Sequence, residues 1–557
     1  MNGEPNYWTT VFKRRVTRRG VLVGGLGLAG AAVIGCNTSS TSPTATTGAG
    51  GTVPTNVAPT TAPVSQIQKG GRLIINLGMD PSNLDPQIGT IGYDPSYEYY
   101  IYDPLVGLDK NGKPDPTVSL AERWDYQDTI LTFYLRKGIK FTDGTDFNAD
   151  AVKFNIERVL DPANKSAGLA RYSVIDKVDV IDTYTVRVTL KQPNAWLTTQ
   201  GFAGVYGYMV SPTQVKKVGN EQFAKQPVGT GAFMVSEWVP NSYVLFKKNP
   251  NYWKKDEAGN QLPYLDEIKA VMVSDPTVVL AGLQSGDIDI SGVAATVLDD
   301  AKKLPNFDFI SVPGGPASVV ICNAAMPPTD DLNFRLAVGY AINPDEINQK
   351  VYFGRYKLMQ AGFWASDSWA FDPNVAARPK FDQAKAKEYL SKAKVPGGTY
   401  TMLTYNSPTV MQSAELVQAQ LKAVGIDVKL DVRENAQANA LWNEGKTFPI
   451  FYDTWLKVNE PDNTASYLLA SNGYGNAGKV KNDQLDSLIA QGLATYDLNK
   501  RKEIYRQVNE IMYGQGYAYP FLESVSWYFY NKKVQNFNSP WYSADYGWRP
   551  WLAWIKK

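Results

Sequence analysis

The feature that most constrains this chain is a charge-free tract. Residues 37–68 are Ser, Thr, Pro, Gly and Ala with a few other neutral residues and no Asp, Glu, Lys or Arg. Such a composition cannot bury enough apolar surface to fold and reads as a flexible stalk. At about 5–6 Å times the square root of length, it would hold a globular body roughly 30 Å from its point of attachment. Everything that folds must therefore come from residues 69–557. That length exceeds what one hydrophobic core usually organises, so two or more lobes are expected.

What precedes the stalk reads as an export signal. Lys13, Arg14, Arg15, Arg18 and Arg19 form a basic region, residues 20–35 an apolar run, and small residues precede Cys36. The run is shorter than the roughly 20 residues of a membrane-spanning helix. Thr17-Arg18-Arg19-Gly20-Val21-Leu22 resembles a twin-arginine motif, and Val33-Ile34-Gly35-Cys36 a lipobox, with Cys36 the lipidated residue after cleavage. The expected product is an extracytoplasmic protein tethered to the cell membrane by lipid. Within the signal, Gly25-Leu26-Gly27-Leu28-Ala29-Gly30 spells a dinucleotide fingerprint, but it lacks the strand, helix and acidic residue that would make it one.

The chain contains no histidine. That excludes Ser-His-Asp and Cys-His catalysis and every histidine metal site. A carboxylate-pair glycoside hydrolase survives this filter and is the alternative reading. Residues 1–35 hold five basic side chains and Glu4, so the remainder is close to neutral, with no general attraction to nucleic acid. Cys322 reads as a small buried apolar residue rather than a reactive thiol. No cofactor or metal is expected.

Strand-like and helix-like stretches alternate. Residues 72–77 form an apolar run between glycines, and 129–136 alternate Leu131, Phe133 and Leu135 with polar neighbours. Asn148 is placed to cap a helix bearing Val152, Ile156 and Val159 on one face. Ala414, Val417, Leu421 and Val424 make a stripe that Gly425 ends, and Ile426, Val428, Leu430 and Val432 then alternate as a half-buried strand. Further stripes are Phe334, Ala337, Val338 and Ala341, ended by Asn343-Pro344, and Ile504, Val508, Ile511 and Met512. The class is α/β.

The phrases IYDPLVGLDKNGKPDPTVSLAERW and FYLRKGIKFTDGTDFNADAV, followed by PVGTGAF, RLAVGYAI, QLKAVGIDVKL and RKEIYRQVNEIM, resemble the extracytoplasmic solute-binding proteins of family 5, the peptide, nickel and opine class serving ABC importers. The resemblance runs through nearly all of the chain after residue 69. It implies a two-lobed periplasmic-binding-protein-like fold, type II and cluster C-like, with an extra inserted domain. Lobe I is expected at 69–105, 228–318 and 516–557, the inserted domain at 106–227 and lobe II at 319–515. It also implies capture of a solute between the lobes and its delivery to permease subunits; the solute is expected to be peptide-sized, peptide or oligosaccharide, and the protein a monomer.

Peptide binders of this family hold the ligand's α-ammonium with an aspartate three residues after a tryptophan. Here that tryptophan is Trp455, but Val458 stands at the aspartate's position and Lys457 brings the opposite charge. Asp453 or Glu460 is left as a substitute anchor, with Asn459 beside them. An ammonium enclosed without a carboxylate is strongly disfavoured, so free-amine peptides are expected to bind weakly and neutral oligosaccharides better; an opine-like anion pairing with Lys457 is a third possibility. With 14 Trp and 33 Tyr, aromatic platforms for a sugar ring are available. Trp455 leads these, followed by Tyr93, Trp364 and Trp369; core packing is the competing role for each.

Overall fold

The structure is a computed structural model describing residues 67–557 except 89–93, 110–111, 360–361, 365–367, 374–377, 396–397, 456–459, 474, 477 and 538–548. Cys36, the export signal and the stalk up to residue 66 lie outside the described residues. In chain order the strands of the two larger sheets are β1 (Arg72–Asn76), β2 (Ala121–Gln127), β3 (Ile130–Leu135), β4 (Ile175–Asp182), β5 (Thr185–Leu190), β6 (Phe233–Val239), β7 (Tyr243–Lys248), β8 (Glu267–Val271), β9 (Ile290–Val293), β10 (Phe307–Cys322), β11 (Lys357–Leu358), β12 (Thr399–Tyr405), β13 (Asp427–Arg433), β14 (Ile450–Trp455) and β15 (Ala518–Asn531). Strands β2 to β5 make an antiparallel sheet of their own. The others join in one eleven-stranded sheet ordered β13-β12-β14-β10-β15-β9-β1-β8-β7-β6, with β11 on the flank of β15.

The expected local signals do their work. Asn148 accepts the Ala151 N–H and starts the helix Ala149–Leu160, whose Val152, Ile156 and Val159 are buried. Gly425 ends the helix Pro408–Val424 at φ +104°, a conformation that an L side chain resists. Asn343 does more than end a helix: its side chain caps the next one, Pro344–Tyr352, through the Glu346 N–H. Val432, near the end of β13, is exposed, whereas Val428 on the same face is buried.

Buried apolar side chains gather into separate cores. One combines residues of β1, β7 and β8 with Tyr97, Tyr100 and Phe233. A second fills the space between the small sheet and the helix Ala149–Leu160, and a third draws on residues 319–522. We call the bodies around them lobe I, the inserted domain and lobe II. The inserted domain is pinned to lobe I by a buried ion pair. Arg158 donates to both Asp85 oxygens, at 2.9 and 2.5 Å, with both side chains almost fully buried. Such a pair costs desolvation and is tolerated because both Asp85 oxygens are bonded.

Strands β10 and β15 run antiparallel through both lobes. In lobe I β15 pairs with β9, and in lobe II β10 pairs with β14. The register slips between Pro313 and Ala317 and again between Ser318 and Val319. An irregular stretch in a ladder bends the strand locally, so the sheet bends where its two halves meet. Gly315 stands there, where an added Cβ would lie 2.0 Å from Ser524 Oγ.

Candidate functional site

Pairing directions bring two sets of strand ends to face each other. Strand β9 is antiparallel to β15, as is β10, so β9 and β10 run the same way; β1 and β8 are parallel to β9. Strand β14 is antiparallel to β10, and β12 parallel to β14. The carboxyl ends of β1, β8 and β9 in lobe I therefore face those of β12 and β14 in lobe II across the crossover. Carboxyl ends of parallel strands are where α/β sheets bind ligands. Trp455 lies level with Ala317 and hence Glu523, and Val293 level with Trp527. The floor between the two sets of strand ends is thus four steps of β15, about 13 Å at roughly 3.3 Å per residue.

Trp455 is the last residue of β14 and half-buried. Its Nε1 donates to Thr464 Oγ1 at 3.3 Å, and its ring packs edge-on to Phe363 and tilted against Tyr467. Asp453, two residues earlier, shares its face of the strand. The carboxylate is buried and accepts the Thr454 N–H at 2.7 Å. No cation among the described residues pairs with it. Burial pushes it up to about 7, opposed by that one N–H. Next to it, Tyr405 and Thr454 share a hydroxyl hydrogen bond of 2.5 Å.

Glu460 is differently placed. Its oxygens receive Arg501 Nη2 at 2.6 Å and Nη1 at 3.2 Å, and Thr199 Oγ1 donates to it at 2.5 Å. Arg501 is completely buried, donates Nε to the Gly492 carbonyl and lies over the Trp369 ring. Burial works against its charge and Glu460 outweighs it, so the guanidinium stays protonated. Asp462, beside this pair, takes bonds from Ser466 and Tyr505 and faces Arg171 at 3.6 Å; burial raises it to about 6. Trp364 is buried with its ring edge-on to Tyr505.

The fold therefore brings Trp364, Trp369, Trp455 and Glu460 into one neighbourhood around residues 460–469 and the helix Leu498–Gly514, with Asp453 adjoining on β14. Tyr93 and Asn459 lie outside the described residues, as do Lys457 and Val458. Sequence reasoning missed Arg501 and Thr199. Arg501 had left a trace, for Arg501, Tyr505, Val508 and Met512 follow a helical stripe with a cation in an apolar phase. Thr199 had none.

Residues 115–476 match the family described as "Bacterial extracellular solute-binding proteins, family 5 Middle". The chain belongs to this family. As a family 5 protein it is 31% identical over 494 residues to the glutathione-binding protein GsiB of Shigella flexneri, covering 85% of this chain and 93% of that one. Among solved structures, HbpA2 of Haemophilus parasuis is similar with a TM-score of 0.76 and 24% identity, over 87% of this chain and all of that one. DppA of Helicobacter pylori, in complex with the peptide STSA, gives 0.71 and 25%, over 88% and 99%. Family 5 proteins are extracytoplasmic binding proteins of ABC importers rather than enzymes, and the α/β fold expected from the resemblance is the one found. No described helix of this family 5 protein is long and apolar enough to cross a membrane.

Proposed function

We propose that this chain is a lipid-anchored receptor that captures a short peptide-like solute between its two lobes and delivers it to an ABC permease. The Asp453 carboxylate takes the α-ammonium and Trp455 covers the adjoining part of the ligand. The observation that carries this reading is the contrast between the two substitute anchors. Glu460 is already bonded by Arg501 and Thr199, whereas Asp453 is buried at the cleft end of β14 with one backbone bond and no described counter-charge. A desolvated carboxylate of that kind gains a strong acceptor role when an ammonium arrives. The glutathione-binding and peptide-complexed relatives support the same ligand class. A neutral oligosaccharide is the second reading, favoured by the Phe363, Trp455 and Tyr467 cluster.

Calorimetry decides between them. An unblocked tripeptide or glutathione is expected to bind, with N-acetylation and Asp453→Asn each weakening it by about tenfold or more, the scale of a hydrogen bond to a charged group. A neutral oligosaccharide that binds more tightly than any free amine, with Asp453→Asn silent, would overturn the peptide reading.

A further inference from the structure

The inserted domain touches lobe II along a polar seam that chain connectivity does not require. Because Arg158 and Asp85 lock that domain to lobe I, every bond along the seam crosses between the two bodies that the hinge joins. Thr199 Oγ1 donates to Glu460, and Trp196 Nε1 donates to Asn463 Oδ1 at 2.6 Å. The Ala195 N–H donates to the Leu493 carbonyl at 2.7 Å, and Tyr496 donates to the Asp128 carbonyl at 2.8 Å while its ring lies 5.3 Å from Tyr126. Both sides of the seam carry a π-helical turn, Leu197–Gly201 and Ala465–Leu469, an arrangement that is rare and often marks functional sites. The gripped segment, residues 460–464, is the one to which Trp455 is tied through Thr464.

We propose that the inserted domain is a closing jaw. Thr199 and Trp196 grip residues 460–464 when the lobes are shut, and in doing so they are positioning residues for Trp455. They set the closed fraction of the protein and thereby its affinity, since apparent affinity scales with the competent fraction, without touching solute. Beside the hinge a different contact spans the lobes: Arg355 bonds Asp299 at 2.8 Å and the Ala295 carbonyl, on the flank of β15 where β11 and β9 both pair. That strut sits next to the pivot. The jaw contacts are made by segments outside the hinge sheet, so they are the ones that a hinge rotation separates.

The proposal rests on the reading that the lobes close on solute, and pulsed EPR distances separate the two. The full-length chain carrying Cys36→Ser takes spin labels at Asp176→Cys in the inserted domain and Lys500→Cys in lobe II, both exposed, while Cys322 is buried and stays unlabelled. It is measured without solute and with glutathione. The parent is expected to populate a short distance, and Thr199→Val with Asn463→Ala to reduce that population about tenfold relative to the open one, from loss of bonds that include one to a charged group. Thr199→Ser, which keeps the hydroxyl, is expected to retain it, and melting of all variants to stay cooperative. Two distances populated alike in parent and double variant would overturn the jaw and leave lobe closure standing. A single distance throughout would overturn both.

Discussion

Asp453 holds its proton to about pH 7 because burial removes the carboxylate from water. In the unfolded chain the same group titrates near 3.9. Between those values the folded protein keeps a proton that the unfolded one has lost, so this carboxyl's contribution is full below about pH 4 and is lost as pH rises through about 7. Asp453→Asn is therefore expected to flatten the fall in stability between about pH 4 and pH 8. It should gain on the parent by an order of a few kcal/mol at the alkaline end, where about three pKa units are at stake. Urea denaturation at several pH values checks this, and parallel curves for the two proteins would refute it. Trp455 was legible as a candidate through the family resemblance, and Asp453 as a carboxylate two positions before it. That Glu460 is already bonded was not legible, since its partners Arg501 and Thr199 are remote in sequence and brought close by topology.

Among the elements, those whose signals are local were read well. Cap, stripe and stop fall within a few residues of one another at Asn148 and Gly425, and propensity and capping act over that range. How far cover extends along β13 depends on packing instead, so the expected half-burial holds at Val428 and is lost toward the end of the strand at Val432. Gly425→Ala tests the local logic. At φ +104° the substitution is strained, and roughly 1 kcal/mol of stability should be lost, read as a lower urea midpoint with unchanged slope.

For the whole molecule, the phrases of the family 5 resemblance conveyed the fold class, but the seam between inserted domain and lobe II was invisible to them, because its bonds join segments that no sequence period links. The proposed lipid tether, too, belongs to the whole-molecule scale, because it rests on Cys36 and not on any element of the fold. Cys36→Ser is expected to leave the exported protein free in the periplasm or medium, measured by fractionation. Membrane retention of that variant with its signal uncleaved would argue against lipid anchoring.

The position of β15 in the sheet has a consequence for how the chain is made. It is the last of the eleven strands to be synthesised, yet it lies between β10 and β9. Without it the sheet falls into two ribbons, β13-β12-β14-β10 and β9-β1-β8-β7-β6, each with a raw edge. Both lobes must therefore wait, with those edges open to other chains, until residues 518–531 arrive. Folding of the two halves is tied to a single late event of high contact order, and a chain that stops short of residue 518 loses the ladder that joins the two ribbons, keeping only the strand β10 between them.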